Sequence, residues 1–235
     1  MKKIICCIAA ILIISLQSCL SVIANKYEIN SKSPKLEKID VQGKEVYFLG
    51  MSHLAKKEFY DNTKLLIEDF QAKGFIFYLE SINDFDNKII ILDTLAVKKF
   101  RKLTDLDLSI KYSKSQNPYL QKLKNRYALI DQPKYQFFGL KNYKRVDYLY
   151  TQMIDFYELK YKRVILDTCD IKTPLGNNYK CETTQNSERK IFTNEIIFDK
   201  RNKLIAESLV NSSDKKIIII YGKMHLKGIR EYLKK

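Results

Sequence analysis

Glu45 to Leu49 is a short β-branched and aromatic run closed by Gly50. Lys57 to Lys73 then carries Phe59, Leu65, Leu66 and Phe70 at helical spacing and stops at Gly74, and Phe75 to Leu79 is a second apolar run with Glu80 at its tip. A period that changes from strand to helix and back reads as a β-α-β unit. Such a unit predicts a parallel strand pair in a sheet covered by helices. The far end repeats the theme. Asp199 to Val210 places Leu204, Ile205 and Leu209 on one helical face, and Lys216 to Tyr221 is the most hydrophobic strand of the chain, ended by Gly222. The expected class is α/β, a helix-flanked central sheet.

Between these ends the pattern is looser. Asn87 to Leu108 reads mostly as helix around Val97 and Phe100, and Asp131-Gln132-Pro133 breaks the chain. Gln136 to Leu140 reads as a short strand, and Tyr143 to Tyr161 as an amphipathic helix through Val146, Leu149, Met153, Phe156 and Tyr157. With 235 residues, 46% of them hydrophobic, there is material for about one core. Seven glycines and four prolines exclude collagen-like and proline-rich architectures. Residues 41–235 are expected to form a single α/β domain.

The first residues are a separate object. Lys2 and Lys3 precede an apolar run, Ile4 to Leu16, too short for a comfortable membrane span. Residues 1–18 therefore read as a secretory signal. The alternative is an uncleaved anchor helix extended through Leu20 to Ala24. Leu16-Gln17-Ser18-Cys19 resembles the lipobox of bacterial lipoprotein signals, whose cysteine is acylated and becomes the new first residue; Gln17 departs slightly from the pattern. The resemblance implies a lipid on Cys19, a polar tether over residues 19–40, and an extracytoplasmic domain held to a membrane of the bacterial cell envelope.

Of five cysteines, Cys6 and Cys7 leave with such a signal, and Cys169 and Cys181 remain as an even pair around Asp170 to Lys180, a loop holding Pro174, Gly176, Asn177 and Asn178. In an oxidising compartment they are expected to form a disulfide. A metal pair would need further cysteine or histidine nearby, and that loop has none. The charge balance is basic, 42 Lys+Arg against 27 Asp+Glu. Lysine dominates and is scattered, whereas nucleic-acid recognition draws on clustered arginines, so no nucleic-acid partner is expected. A solvated lysine-rich surface is the plainer reading, and attraction to an anionic membrane face is the other.

The two histidines of the chain share one setting: an apolar strand followed by Gly50-Met51-Ser52-His53, and another followed by Gly222-Lys223-Met224-His225. A glycine leaving a strand lets the backbone turn sharply and approach a ligand, and the imidazole three residues on can cross the C-terminal edge of the sheet. In a parallel sheet such edges lie together. His53, His225 and Glu80 are therefore candidates for one shared site, against the plainer role of structural histidines.

Val46 to His53, Glu80 ending the next strand, Arg201-Asn202 opening a helix and Ile220 to Gly228 together resemble the TraB/GumN family, related to the Tiki metalloproteases and more distantly to erythromycin-esterase and ChaN-like proteins. The likeness spans nearly the whole mature chain, with its sharp motifs at the two ends. It implies internally repeated strand-GxxH-helix units and a site of His53, Glu80, Arg201 and His225. Many relatives have an acidic residue where this chain has Asn202. Two hydrolytic routes fit. In one, His53, His225 and Glu80 hold a divalent Mn, Co or Zn ion and Arg201 binds a substrate carboxylate or oxyanion. In the other, one histidine is a general base for water, with Glu80 orienting it and Arg201 stabilising charge. A third reading keeps the pocket for a peptide or small-molecule ligand without catalysis. For Glu80 and Arg201, the plain alternative is a structural ion pair.

Overall fold

A computed structural model describes residues 30–80, 94–107 and 118–234. The signal, Cys19, the first part of the tether and the Asn87 end of the first middle helix lie outside the described residues.

Seven strands occur among them: β1 (Leu36–Val41), β2 (Lys44–Met51), β3 (Leu54–Ala55), β4 (Ile76–Leu79), β5 (Ile130–Asp131), β6 (Tyr143–Arg145) and β7 (Lys216–Gly222). The helices are α1 (Lys57–Ala72), α2 (Thr94–Thr104), α3 (Pro118–Tyr127), α4 (Tyr150–Lys160), α5 (Thr168–Lys172), α6 (Asn186–Ile191), α7 (Arg201–Asn211) and α8 (Leu226–Leu233). The main sheet has the order β1-β2-β7-β4-β6, and β3 and β5 form a separate antiparallel pair. Strands β2, β7, β4 and β6 run parallel, with β1 antiparallel at the edge. The architecture is α/β, a mixed five-stranded sheet flanked by helices.

Strand β7 is central because its sequence demands it. Ile217 to Ile220 are buried on both faces, and each such side chain is stabilised by roughly 1.5–3 kcal/mol when removed from water. One face packs Leu49, Phe77, Leu79, Ile218 and Ile220 against Phe59, Ile67 and Phe70 of α1. The opposite face packs Val46, Phe48, Ile217 and Ile219 against Ile205 and Leu209 of α7 and Ile229 of α8. A third cluster joins Val97 and Phe100 of α2 to Met153, Ile154 and Tyr157 of α4 and to Phe192 and Ile196.

Several expectations change. The strands of the early β-α-β unit, β2 and β4, are parallel but not neighbours, because β7 inserts between them. Residues 36–40, assigned to the tether, belong to β1, whose register against β2 runs from Leu36↔Leu49 to Val41↔Lys44. Gln136 to Leu140 is no strand: Tyr135–Phe138 is a 3₁₀ turn ended by Gly139 at φ 64°. Tyr143 to Tyr161 is not one helix, since Tyr143–Arg145 pairs with β4 before α4 begins. The late helix starts earlier than Asp199: α6, a wider-wound π stretch (Phe192–Lys200) and α7 follow one another without a break.

Cys169 and Cys181 form a disulfide with Cα atoms 5.7 Å apart. Its loop is clamped to α2 by the buried Arg101, which donates to the carbonyls of Thr173 (2.9 Å) and Pro174 (3.0 Å) and stacks 4.4 Å from the Tyr179 ring centroid. Closing a loop of this size contributes about 3 kcal/mol on the chain-entropy account. Reduction, or replacement of both cysteines by serine, is therefore expected to lower the unfolding free energy by about 2–4 kcal/mol in urea titrations. An unchanged midpoint in reductant would refute the bond's contribution.

Candidate functional site

Four parallel strands end on one edge of the sheet, and the chemistry-bearing residues lie just beyond them. The register Gly50↔Tyr221 and Met51↔Gly222 sets the two GxxH turns side by side. Neither glycine has a positive φ; what a side chain would meet at each is crowding. A Cβ on Gly50 would lie 3.1 Å from Lys223 Cβ, and one on Gly222 would lie 3.2 Å from Glu80 Oε2. The Glu80 N–H continues the β4–β7 ladder to Ile220 O (3.0 Å), and Tyr135 Oη donates to Glu80 O at 2.6 Å. The carboxylate is thereby aimed at the β7 turn, where Oε2 accepts the Gly222 N–H at 2.5 Å.

Arg201, only 3% exposed, is the hub. Its Nε and Nη2 donate to Asp147 Oδ1 (2.7 Å) and Oδ2 (2.8 Å) in a bidentate pair. Nη2 also donates to Glu80 Oε1 at 2.6 Å. Nη1 faces Ile197 O at 3.4 Å and His225 Nε2 at 3.3 Å. All five guanidinium N–H groups therefore have acceptors within the protein. In this arrangement Arg201 has no donor left for a substrate carboxylate or oxyanion.

His225 is buried between the rings of Tyr221 and Phe198, with centroids 5.1 and 5.2 Å away. Its Nδ1 lies 2.7 Å from Asn202 Oδ1. An amide oxygen only accepts, so Nδ1 carries the proton and Nε2 offers its lone pair to Arg201. Asn202 thus takes the orienting place that an acid would hold, without the charge that would make the imidazole more basic. Gly228 makes room for it, since a Cβ there would lie 2.0 Å from Asn202 Nδ2.

Electrostatics follow from these contacts. Burial works to raise Glu80, but the Arg201 charge, with smaller contributions from His225 and His53, overrides it and holds the carboxyl at about 2. Burial, then the Arg201 charge, push His225 down to about 4. Burial pushes the Asp147 carboxyl up from its ordinary value, and the paired guanidinium pulls it back. Burial also opposes the charge of Arg201, yet Glu80 and Asp147 outweigh it and raise the guanidinium well above its usual value. Asp147 is wholly buried in its bidentate pair with Arg201, whereas Glu80, its side chain 18% exposed, is the carboxylate of the cluster that reaches solvent.

His53 stands apart. It is exposed beyond β2, near enough for its charge to act on Glu80 and His225, and its backbone carbonyl accepts from Gln132 N (2.9 Å). The structure thus joins Glu80, Arg201 and His225 in direct contact, with His53 at the rim. Cys169 and Cys181 are remote from them in role, holding the loop on α2. Among the described residues, no group of three or more His, Cys, Asp or Glu side chains is placed to hold a metal ion. Glu80 Oε1 and His225 Nε2 are 3.9 Å apart, but both face the guanidinium. As arranged, this donor set does not fit a Mn, Co or Zn ion, which would sit against a fixed positive charge.

Sequence reasoning missed Asp147, because it falls in a stretch read as helix. Its signal was slight: it is the single acidic residue between Asp131 and Asp155. Tyr221 was read only as the end of a strand, yet its hydroxyl donates to Val146 O (3.0 Å) and secures the backbone beside Asp147. No family model, curated protein or solved structure matches this chain.

The pKa directions predict an acid sensitivity. His225, near 4 in the fold and near 6.5 unfolded, contributes stability that is complete above pH 6.5 and is lost as pH falls towards 4. Glu80 does the same between 4.5 and about 2, and Asp147, shifted upward, offsets part of that lower share. In urea titrations across pH, wild type should lose about 3 kcal/mol more than His225→Gln between pH 7 and 4. Parallel profiles for the two proteins would contradict the assignment of a buried neutral His225.

Proposed function

We propose that the chain is a hydrolase of TraB/GumN type, exported and tethered through a lipid on Cys19, with internally repeated strand-GxxH-helix units, acting on an ester or amide of a peptide or small molecule. The observation that carries this reading is the contrast at the sheet edge: an ionised, partly exposed Glu80 fixed by a saturated Arg201, beside a solvent-facing His53. Support for the family comes from the convergence of GxxH, Glu, Arg and GxxH on one edge. Clefts at the C-terminal edge of parallel strands are the usual ligand sites of α/β folds.

In the reaction, water adds to the substrate carbonyl carbon while His53 takes its proton, and the proton then passes to the departing alcohol or amine. Glu80 stabilises the positive charge that His53 acquires. Arg201, Asp147 and Asn202 act at one remove, keeping Glu80 ionised and His225 neutral. No step here passes through a metal.

Against a panel of ester and peptide substrates, His53→Ala should lower kcat/KM by about 10²–10⁴-fold with the fold intact. Full activity in His53→Ala would defeat the base assignment, and ligand binding without turnover in the wild type would favour a sequestering protein. One Mn, Co or Zn ion per chain, lost in both His53→Ala and His225→Ala, would replace this route by the metal-dependent one. Export and lipidation are checked separately: a fatty-acid probe should label the full precursor but not Cys19→Ala, and persistent labelling of the variant would overturn the anchor.

A further inference from the structure

Strand β1 closes one side of the main sheet, with β2 as its neighbour and, among the described residues, no strand beyond it. Gly50 N–H donates to Lys35 O (3.4 Å), which makes Lys35 and Gly50 a hydrogen-bonded pair of this ladder. Such pairs alternate along antiparallel strands. Glu37, Ile39 and Val41 therefore also turn their backbone groups towards β2, while Leu36, Lys38 and Asp40 turn theirs to the open edge. Arg230 fits this phase: Nη2 donates to Lys38 O at 3.1 Å, and Nη1 holds Glu37 Oε2 at 3.0 Å. A carbonyl oxygen has two lone pairs, so Lys38 O can take a second donor.

A row of outward N–H and C=O groups is a template for another strand, and a lysine on such an edge ordinarily discourages pairing. Here the lysine has an aspartate two residues away. Lys38 and Asp40 are both exposed and lie on the same face of β1. Among the described residues, neither side chain is engaged in a hydrogen bond or an ion pair. The register sets Asp40 against Glu45, a like charge, and Glu45 against Lys216 on its far side. Like charges directly opposite are destabilising, so a cation on the open side of Asp40 would offset the repulsion.

The edge can supply that cation to itself. About a twofold axis, a strand pairs with its own copy in registers that set outward residue against outward residue. Centred on Lys38 or on Asp40, the pairing brings like charges face to face. Centred on Glu37, it sets Asp40 against Pro34, which has no N–H to give. Centred on Ile39, it sets Lys38 of each copy opposite Asp40 of the other, twice.

We propose that β1 pairs with β1 of a second copy of this chain, antiparallel and centred on Ile39, joining two five-stranded sheets into one. The row across the junction then runs Lys38, Asp40, Glu45, Lys216, with each carboxylate beside a cation. The backbone ladder holds the copies together, and the charge pairs select the register, since exposed ion pairs contribute little by themselves. The proposal is independent of the hydrolase reading, because β1 carries none of His53, Glu80, Arg201 or His225.

Sedimentation equilibrium on the full chain, in density-matched detergent, tests it. Wild type should be a dimer in equilibrium with monomer. Lys38→Glu and Asp40→Lys each place like charges opposite at both pairs and should raise the dissociation constant at least about tenfold. Both positions are exposed, so circular dichroism should be unchanged. Mixing the two single variants sets opposite charges at both pairs again, and the mixture should form a heterodimer with near wild-type affinity. The double variant Lys38→Glu/Asp40→Lys should likewise dimerise with itself. A wild type that is monomeric at every accessible concentration, a dimer indifferent to either reversal, or single variants that stay monomeric when mixed would each overturn the proposal.

Discussion

A guanidinium with every N–H used inside the protein organises the edge of this sheet. Arg201 joins the tip of β4 through Glu80, the exit of β6 through Asp147 and the turn after β7 through His225. Removing that charge from water costs several kcal/mol, and one carboxylate beside it would barely restore the loss. Two carboxyl partners, one of them bidentate, offset it, and Glu80 is the less buried of the two. The ion pair is thus more than a tie between strand tip and helix. It keeps Glu80, a partly exposed carboxyl, ionised well below its ordinary range, while its positive field, together with burial, keeps His225 neutral. Loss of either carboxylate would leave a buried charge unbalanced, which typically costs 3–5 kcal/mol.

How Arg201 reaches that position depends on the long helical run Asn186 to Asn211. The π stretch before it changes the winding, and such segments often occur at functional sites. The Arg201 side chain folds back to the carbonyl of Ile197, four residues earlier, while Asn202, the next residue, turns to His225. Adjacent residues of one helix therefore serve two different functions, charge balance and tautomer control. Gly228 in α8 is the complementary choice on the facing helix, since any larger residue would displace the Asn202 amide.

Much of the fold was legible because its strongest signals are local. Four consecutive isoleucines need burial on two faces, and the helical spacing from Lys57 to Lys73 leaves little room for another reading. What was not legible depends on long-range pairing. The insertion of β7 between β2 and β4 is set by which apolar strand best fills the centre, a comparison across the whole chain. Tyr143 to Arg145 becomes a strand only because β4 presents a free edge, and without that pairing its apolar spacing merges into the following helix. Asp147 was hidden for the same reason. That Glu80 and His225 lie together could be read from strand tips and motif spacing, but the consumption of every Arg201 donor could not.

The two GxxH motifs show how one local pattern takes two physical fates. Both leave neighbouring parallel strands one residue out of register. After Gly222 the chain passes through a 3₁₀ turn directly into α8, whose Ile229 is driven into the core, and His225 is carried inward with it. After Gly50 the chain continues into β3, which pairs with β5 through Leu54↔Asp131, and the buried side chains there are Leu54 and Ala55. His53 is consequently turned outward. An imidazole engaged at both nitrogens and held near 4 is poorly suited to take a proton at neutral pH. In the proposed reaction it is His53, exposed at the rim, that has the solvent access proton transfer needs. The two motifs therefore differ in burial: the inner histidine completes a fixed electrostatic frame, and the outer one lies exposed at its rim.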